Sequence, residues 1–221
     1  GVDMGAVHVN PHMKIDDPRD PRYFLVPGTL MQYLEAPVLH SKKYWGRKIN
    51  KGEVGLILSL KRAFEKALGE GHKSVLILED DHVLVDTKSY PNSYCIFLEA
   101  VQELHESGIE YDYIQIESYN WFGDDASKIP EGMSAWFVPL STAWNTHAVL
   151  WHERGMRKML ASGYFERCVM AIDEYLSYMT NPGRHPRADF HDCYGEDGKP
   201  PASEKRMKGL RWRGMPFIRG T

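Results

Sequence analysis

The chain has 221 residues, 43% hydrophobic, 26% charged and 12% aromatic. That is a globular composition with room for one sizeable core, and it excludes collagen-like, coiled-coil and low-complexity architectures. The formal net charge of -3, from 27 basic and 30 acidic residues, supplies no broad field toward nucleic acid, and the longest apolar runs, Val75 to Leu78 and Leu56 to Leu58, fall far short of the roughly 20 residues that cross a bilayer.

The first fifty residues are rich in Pro, Asp, His and Lys, as in Asp16-Asp17-Pro18-Arg19-Asp20-Pro21-Arg22. They read as loop with one short helix around Leu30 to Leu34. No leader with a basic and apolar pattern stands at the start. Order is expected from Lys51-Gly52-Glu53-Val54-Gly55 onward. Ile57, Leu60, Phe64, Ala67 and Leu68 then recur at three- and four-residue spacing, which predicts an amphipathic helix ending at Gly69 or Gly71. Ser74 to Leu78 is a continuous apolar run with β-branched members, the pattern of a strand buried on both faces.

A helix over Ser93 to Ser107 follows, closed by Gly108, and then a strand at Tyr113 to Ile116. Extended stretches are expected at Ala135 to Val138 and Thr142 to Leu150, and helices at Arg154 to Ser162 and Ile172 to Met179. Beyond Asn181 the chain turns rich in Pro, Gly and charge. The division is one α/β domain over 1–180 and an irregular segment over 181–221, packed on it or forming a tail. The basic residues Lys205, Arg206, Lys208, Arg211, Arg213 and Arg219 near the end form the one local basic stretch.

Three cysteines, Cys95, Cys168 and Cys193, show no CxxC spacing, so no zinc knuckle or dense disulfide framework is implied. Cys95 and Cys168 stand beside apolar residues on expected helices and read as buried core thiols. Dinucleotide, P-loop and serine hydrolase motifs are absent from the sequence.

The sharpest chemical feature is Glu79-Asp80-Asp81 at the end of the apolar strand. Adjacent carboxylates repel one another unless a cation or hydrogen-bond donors offset their charge. Oxygen donors of this kind suit Mg²⁺ or Mn²⁺, and open α/β sheets bind ligands beyond the carboxyl ends of their strands. The competing reading is a solvated acidic turn. A second pair, Asp173-Glu174, opens the last helix, where acidic residues also complement the helix dipole; functionally, a carboxylate there can serve as general base. His191, beside Asp192 and Cys193, can supply a further metal ligand or belong to a polar loop. Trp121 and Phe122 stand near a turn, whereas Trp144 and Trp151 read as core.

The order of Lys51-Gly52-Glu53-Val54-Gly55, Leu58-Ser59, Val75-Leu76-Ile77-Leu78-Glu79-Asp80-Asp81, Asp112-Tyr113-Ile114, Thr142-Ala143 through Gly155 and Leu160, and Ile172-Asp173-Glu174-Tyr175-Leu176 resembles glycosyltransferase family 25. That family includes bacterial lipooligosaccharide galactosyltransferases and collagen galactosyltransferases. Gly1 to Gly5 look like its short A-V-D-G segment.

The resemblance implies a GT-A-like mixed sheet flanked by helices, and a transferase that moves galactose or glucose from a UDP-sugar to a saccharide or hydroxylated protein acceptor with inversion. It places Glu79 and Asp81 as ligands of Mn²⁺ or Mg²⁺ and Asp173 or Glu174 as the base; His191, which lies outside the matching segments, is a third ligand candidate on its residue type alone. Lys51, Gly52, Glu53, Gly55, Ser59 and Asp80 fall at the donor. The family's first strand, roughly V-I-N-L-D-R-R-x-D-R, precedes the segments found here, which implies a domain lacking that strand. The family's His after Leu-Ser is Leu60 here, which implies a changed donor site. The alternatives from other classes are a non-catalytic saccharide or nucleotide binder on the same scaffold, and a metal-dependent phosphohydrolase.

Overall fold

The computed structural model describes residues 51–79, 82–84, 92–116, 130–140, 145–167, 171–181, 205–213 and 217–219. Helix α1, Lys51–Gly69, has Glu53 in its first turn and Lys66 in its last, each complementing the nearby dipole end. Its buried stripe is Ile57, Leu60, Phe64 and Ala67, the three- and four-residue spacing of an amphipathic helix. Strands β1, Ser74–Leu78, and β2, His82–Leu84, follow, then helix α2, Ser93–Glu106. Next come β3, Tyr113–Gln115, β4, Phe137–Pro139, and β5, Ala148–His152. Helices α3, Glu153–Ala161, α4, Tyr164–Arg167, and α5, Ile172–Thr180, precede β6, Gly209–Trp212, and β7, Phe217–Arg219.

Five strands form a mixed sheet in the order β1-β5-β3-β6-β4, and β2 pairs with β7 in a separate ribbon. β3 and β6 run parallel, while β1/β5, β3/β5 and β4/β6 are antiparallel. The period-2 alternation of strand side chains divides the core into two layers. Val75, Ile77, Tyr113, Val149 and Trp151 pack under α1, α3, α4 and α5 with Phe64, Met156, Phe165 and Leu176. Leu76, Ile114, Leu150, Leu210, Phe137 and Trp212 pack under α2 with Phe97, Val101 and Leu104. Edge-to-face contacts join each layer to its helix, Phe64 on Trp151 at 4.8 Å between centroids and Phe97 on Trp212 at 5.2 Å.

Five expectations change. The segment beyond Asn181 is not wholly an irregular tail, because Gly209–Trp212 is an internal strand between β3 and β4. Tyr113↔Gly209 and Phe137↔Trp212 fix its register on the two sides. The strand expected to be buried on both faces, β1, is an edge strand among the described residues, only half-buried, and its last residue Leu78 is 44% exposed. Its apolar run arises because both faces of the sheet are packed, Val75 and Ile77 against one core layer and Leu76 against the other. Cys95 is exposed rather than buried, since it lies on the outer side of α2 from Phe97, Val101 and Leu104. The strand expected at Ala135 to Val138 is displaced to Phe137–Pro139, and of the stretch expected at Thr142 to Leu150 the described residues 145–147 are not strand, β5 running from Ala148 to His152. The expected helix in the first fifty residues lies outside the described residues.

One end of the sheet is tied by a buried carboxylate. Asp112, fully buried just before β3, accepts from Arg154 Nε at 2.6 Å, Lys158 Nζ at 2.7 Å and the Lys208 backbone N–H at 2.7 Å. Its own main chain bonds Lys208 and His152, so one residue links β3, the approach to β6, and the β5–α3 junction. Gly155 is required there: a Cβ would lie 2.1 Å from the Asp112 carbonyl oxygen. At the same end the Tyr113 hydroxyl bonds Thr180 Oγ1 at 2.7 Å and Met207 N–H donates to Met179 C=O at 2.9 Å. The C-terminus of α5 is thereby fixed, which sends its N-terminus, with Asp173, toward the opposite end of the sheet.

Candidate functional site

At that opposite end β1 finishes and β5 begins. The pairing of Leu78 with Ala148 continues one residue further, where Glu79 N–H donates to the His147 carbonyl at 2.8 Å. Alternation along both strands then puts the Glu79 and His147 side chains on the face covered by α1 and α5. They meet there, with His147 Nδ1 2.5 Å from Glu79 Oε2, and both are mostly shielded from solvent.

A cavity of about 190 Å³ opens beside this pair, lined by Glu53, Leu56 and Ile57 of α1, Glu79, Asn145, Thr146 and His147, and Ala171, Ile172 and Asp173 at the start of α5. Ile57 and Ile172 belong to the hydrophobic core, so the cavity has an apolar floor and an acidic rim. The helix from Lys51 brings Glu53 to this end because α1 leads back along the sheet into β1. The first turns of α1 and α5 both lie at the cavity, and the partial positive charge of helix N-termini favours anions there.

Asp173 is the most constrained carboxylate in the cavity. It accepts from its neighbour's backbone, Glu174 N–H, at 2.8 Å, and from the backbone N–H of Asn145. Burial is the main influence on its carboxyl group and pushes its proton affinity above that of an ordinary aspartate; the neighbouring Glu174 charge acts in the same direction, and the backbone donors oppose both. Asn145 occupies the left-handed region with φ 62°, and its carbonyl accepts from Gln115 Nε2 at the end of β3. The backbone of Asn145 is thus engaged on both its N–H and its carbonyl side.

Of the residues singled out in the sequence, Glu53, Glu79 and Asp173 line this one cavity. Gly55 and Ser59 lie on α1 but are not among its lining residues, and Lys51 and Gly52 form the first turn of that helix. Glu174 is buried, 4% exposed, and is also absent from the lining. Leu60 packs in the core cluster with Ile57 and Phe64 rather than in the cavity, so its apolar character satisfies packing. Asp80, Asp81 and His191 lie outside the described residues, as do Trp121, Phe122 and Trp144. Trp151 is a core residue as expected. His147 and Asn145 are the additions. A polar residue just before the apolar run Ala148 to Leu150 is visible in the sequence, but its partner Glu79 emerges only from the β1/β5 register.

Among the described residues no group of three or more His, Cys, Asp and Glu side chains is placed to hold a metal ion. The donor types at the cavity, carboxylates of Glu53, Glu79 and Asp173 and the imidazole of His147, are nonetheless the oxygen and nitrogen donors that Mn²⁺ accepts. No helix among the described residues is long and apolar enough to cross a membrane. Comparison with protein-family models and with curated proteins finds no match to the chain.

Proposed function

We propose that the chain is a metal-dependent glycosyltransferase that moves a hexose, galactose or glucose, from a UDP-sugar to a hydroxyl group of a saccharide or hydroxylated protein. The observation that carries this reading is the convergence of Glu53, Glu79 and Asp173, far apart in sequence, on one cavity beyond the carboxyl end of β1. Each stands at a motif of the resemblance to glycosyltransferase family 25, and their meeting is what a shared donor site requires.

In this reading Glu79 and Asp81 hold Mn²⁺ or Mg²⁺ with Asp80 beside the donor and His191 as a further ligand. The cation would neutralise charge on the diphosphate leaving group. Asp173 is the base. Its raised proton affinity suits a group that must accept a proton near neutral pH, and its backbone donors fix where the proton is received. The acceptor hydroxyl gives its proton to an Asp173 oxygen as its own oxygen bonds to the anomeric carbon. The bond from that carbon to the diphosphate oxygen breaks, UDP leaves with the electron pair, and the single displacement inverts the configuration. The apolar floor from Leu56, Ile57 and Ile172 limits competing water.

Calorimetric titration with UDP, with and without Mn²⁺, tests the metal-bridged donor site. Metal-dependent binding that Asp81→Ala removes is the expected result. Binding indifferent to both metal and substitution contradicts it. Metal-dependent binding without turnover of any UDP-sugar and acceptor pair would instead favour the non-catalytic binder.

A further inference from the structure

We propose that His147 is the positioning residue for Glu79, fixing which carboxylate oxygen faces the donor cavity. This rests on the transferase reading, in which Glu79 is a metal ligand. Glu79 extends past the last paired residue of β1, an edge strand among the described residues, and among those residues its backbone is held from one side, by the bond to the His147 carbonyl. The side chain therefore needs its own restraint. His147 supplies it from the same residue that holds the main chain: Nδ1 lies 2.5 Å from Glu79 Oε2, within hydrogen-bond reach.

The imidazole is in turn well supported. His147 immediately precedes β5, the second strand of the sheet, whose next residues Ala148 and Val149 are fully buried, and it lines the cavity beside Asn145 and Thr146. A ligating carboxylate whose second oxygen is claimed by a hydrogen-bond donor presents its first in a fixed direction, and loss of such outer partners typically weakens metal binding by about 10- to 100-fold. The Nδ1 contact makes the assignment specific. An asparagine amide nitrogen falls near the position of imidazole Nδ1, whereas a glutamine amide nitrogen falls near that of Nε2.

The experiment is calorimetric titration of Mn²⁺ into the full chain with saturating UDP, for the parent, His147→Asn, His147→Gln and His147→Ala, each below its melting transition. The expected result is a loss of apparent Mn²⁺ affinity of about ten-fold or more in H147A and H147Q, with H147N near the parent. A parent that binds Mn²⁺ with UDP while all three variants match it overturns the role of His147 and leaves the transferase reading standing. H147N as impaired as H147Q also overturns it. A parent with no Mn²⁺-dependent UDP binding overturns the transferase reading and this role together. If H147A does not fold, the contrast between Asn and Gln still decides.

Discussion

Asn145 holds Asp173 from outside the helix: its backbone N–H donates to the Asp173 carboxylate while Asn145 itself occupies the left-handed region at φ 62°. A non-glycine residue in that conformation costs energy and persists where surrounding contacts require it. Here the Gln115 amide on the Asn145 carbonyl supplies that requirement. The carboxylate is thus both buried and aimed.

Asp173→Asn keeps the shape and removes the proton acceptor. It should lower the transfer rate by about 10²- to 10⁴-fold and leave UDP affinity near the parent's, as measured by initial-rate kinetics and UDP calorimetry. Collapse of UDP binding would reassign Asp173 to the donor.

The same variant has a signature in stability. Burial raises the proton affinity of Asp173 in the folded chain above the unfolded value. Between those two values the folded state binds more protons, so stability falls as pH rises through the window and the full penalty is present above the raised value. Asp173→Asn should therefore be at least as stable as the parent above the raised value, and its advantage should shrink as pH falls through the window. Melting curves across pH check this, and an advantage that grows toward acid would contradict the sign.

Asp112→Ala removes the carboxylate that Arg154, Lys158 and the Lys208 backbone share, leaving buried or half-buried donors without their acceptor. A loss of about 3–5 kcal/mol is expected from denaturant unfolding. A loss below about 1 kcal/mol, the range of an exposed ion pair, would show that solvent replaces the network.

Gly155→Ala places a methyl group where the Asp112 carbonyl already sits, at 2.1 Å, and no flexible side chain can yield there. Destabilisation of about 1–3 kcal/mol or more is expected. Gly69→Ala is the control: a Cβ there meets nothing within 4 Å, and at the end of α1 it should be neutral or stabilise by up to about 1 kcal/mol. Equal effects at the two positions would contradict the close approach.

Part of this arrangement was legible in the sequence: the three- and four-residue apolar spacing of α1 matches its buried stripe, and on α2 Phe97, Val101 and Leu104 are buried while Tyr94 and Leu98, read from the sequence as part of the same face, are exposed. The Glu79 and Asp173 motifs were visible at a strand end and a helix start for the same local reasons. β6 was not. Its four residues Gly209-Leu210-Arg211-Trp212 show only a single polar break between two apolar residues, and its strand character comes from pairing on both sides with β3 and β4. The Glu79–His147 contact was equally hidden, since a one-residue slip of β1 on β5 would send the two side chains to different faces. Local chemistry reads out locally; register does not.

Release of UDP from UDP-galactose and UDP-glucose, with Mn²⁺ and a panel of saccharide and hydroxylated-peptide acceptors, tests the proposed activity most directly when the parent, Glu79→Gln and Asp173→Asn are compared. The expected result is acceptor-dependent UDP release by the parent that falls at least about 100-fold in both variants. Release that is absent from the parent with every donor and acceptor, or that survives unchanged in both variants, would contradict the transferase reading of this cavity.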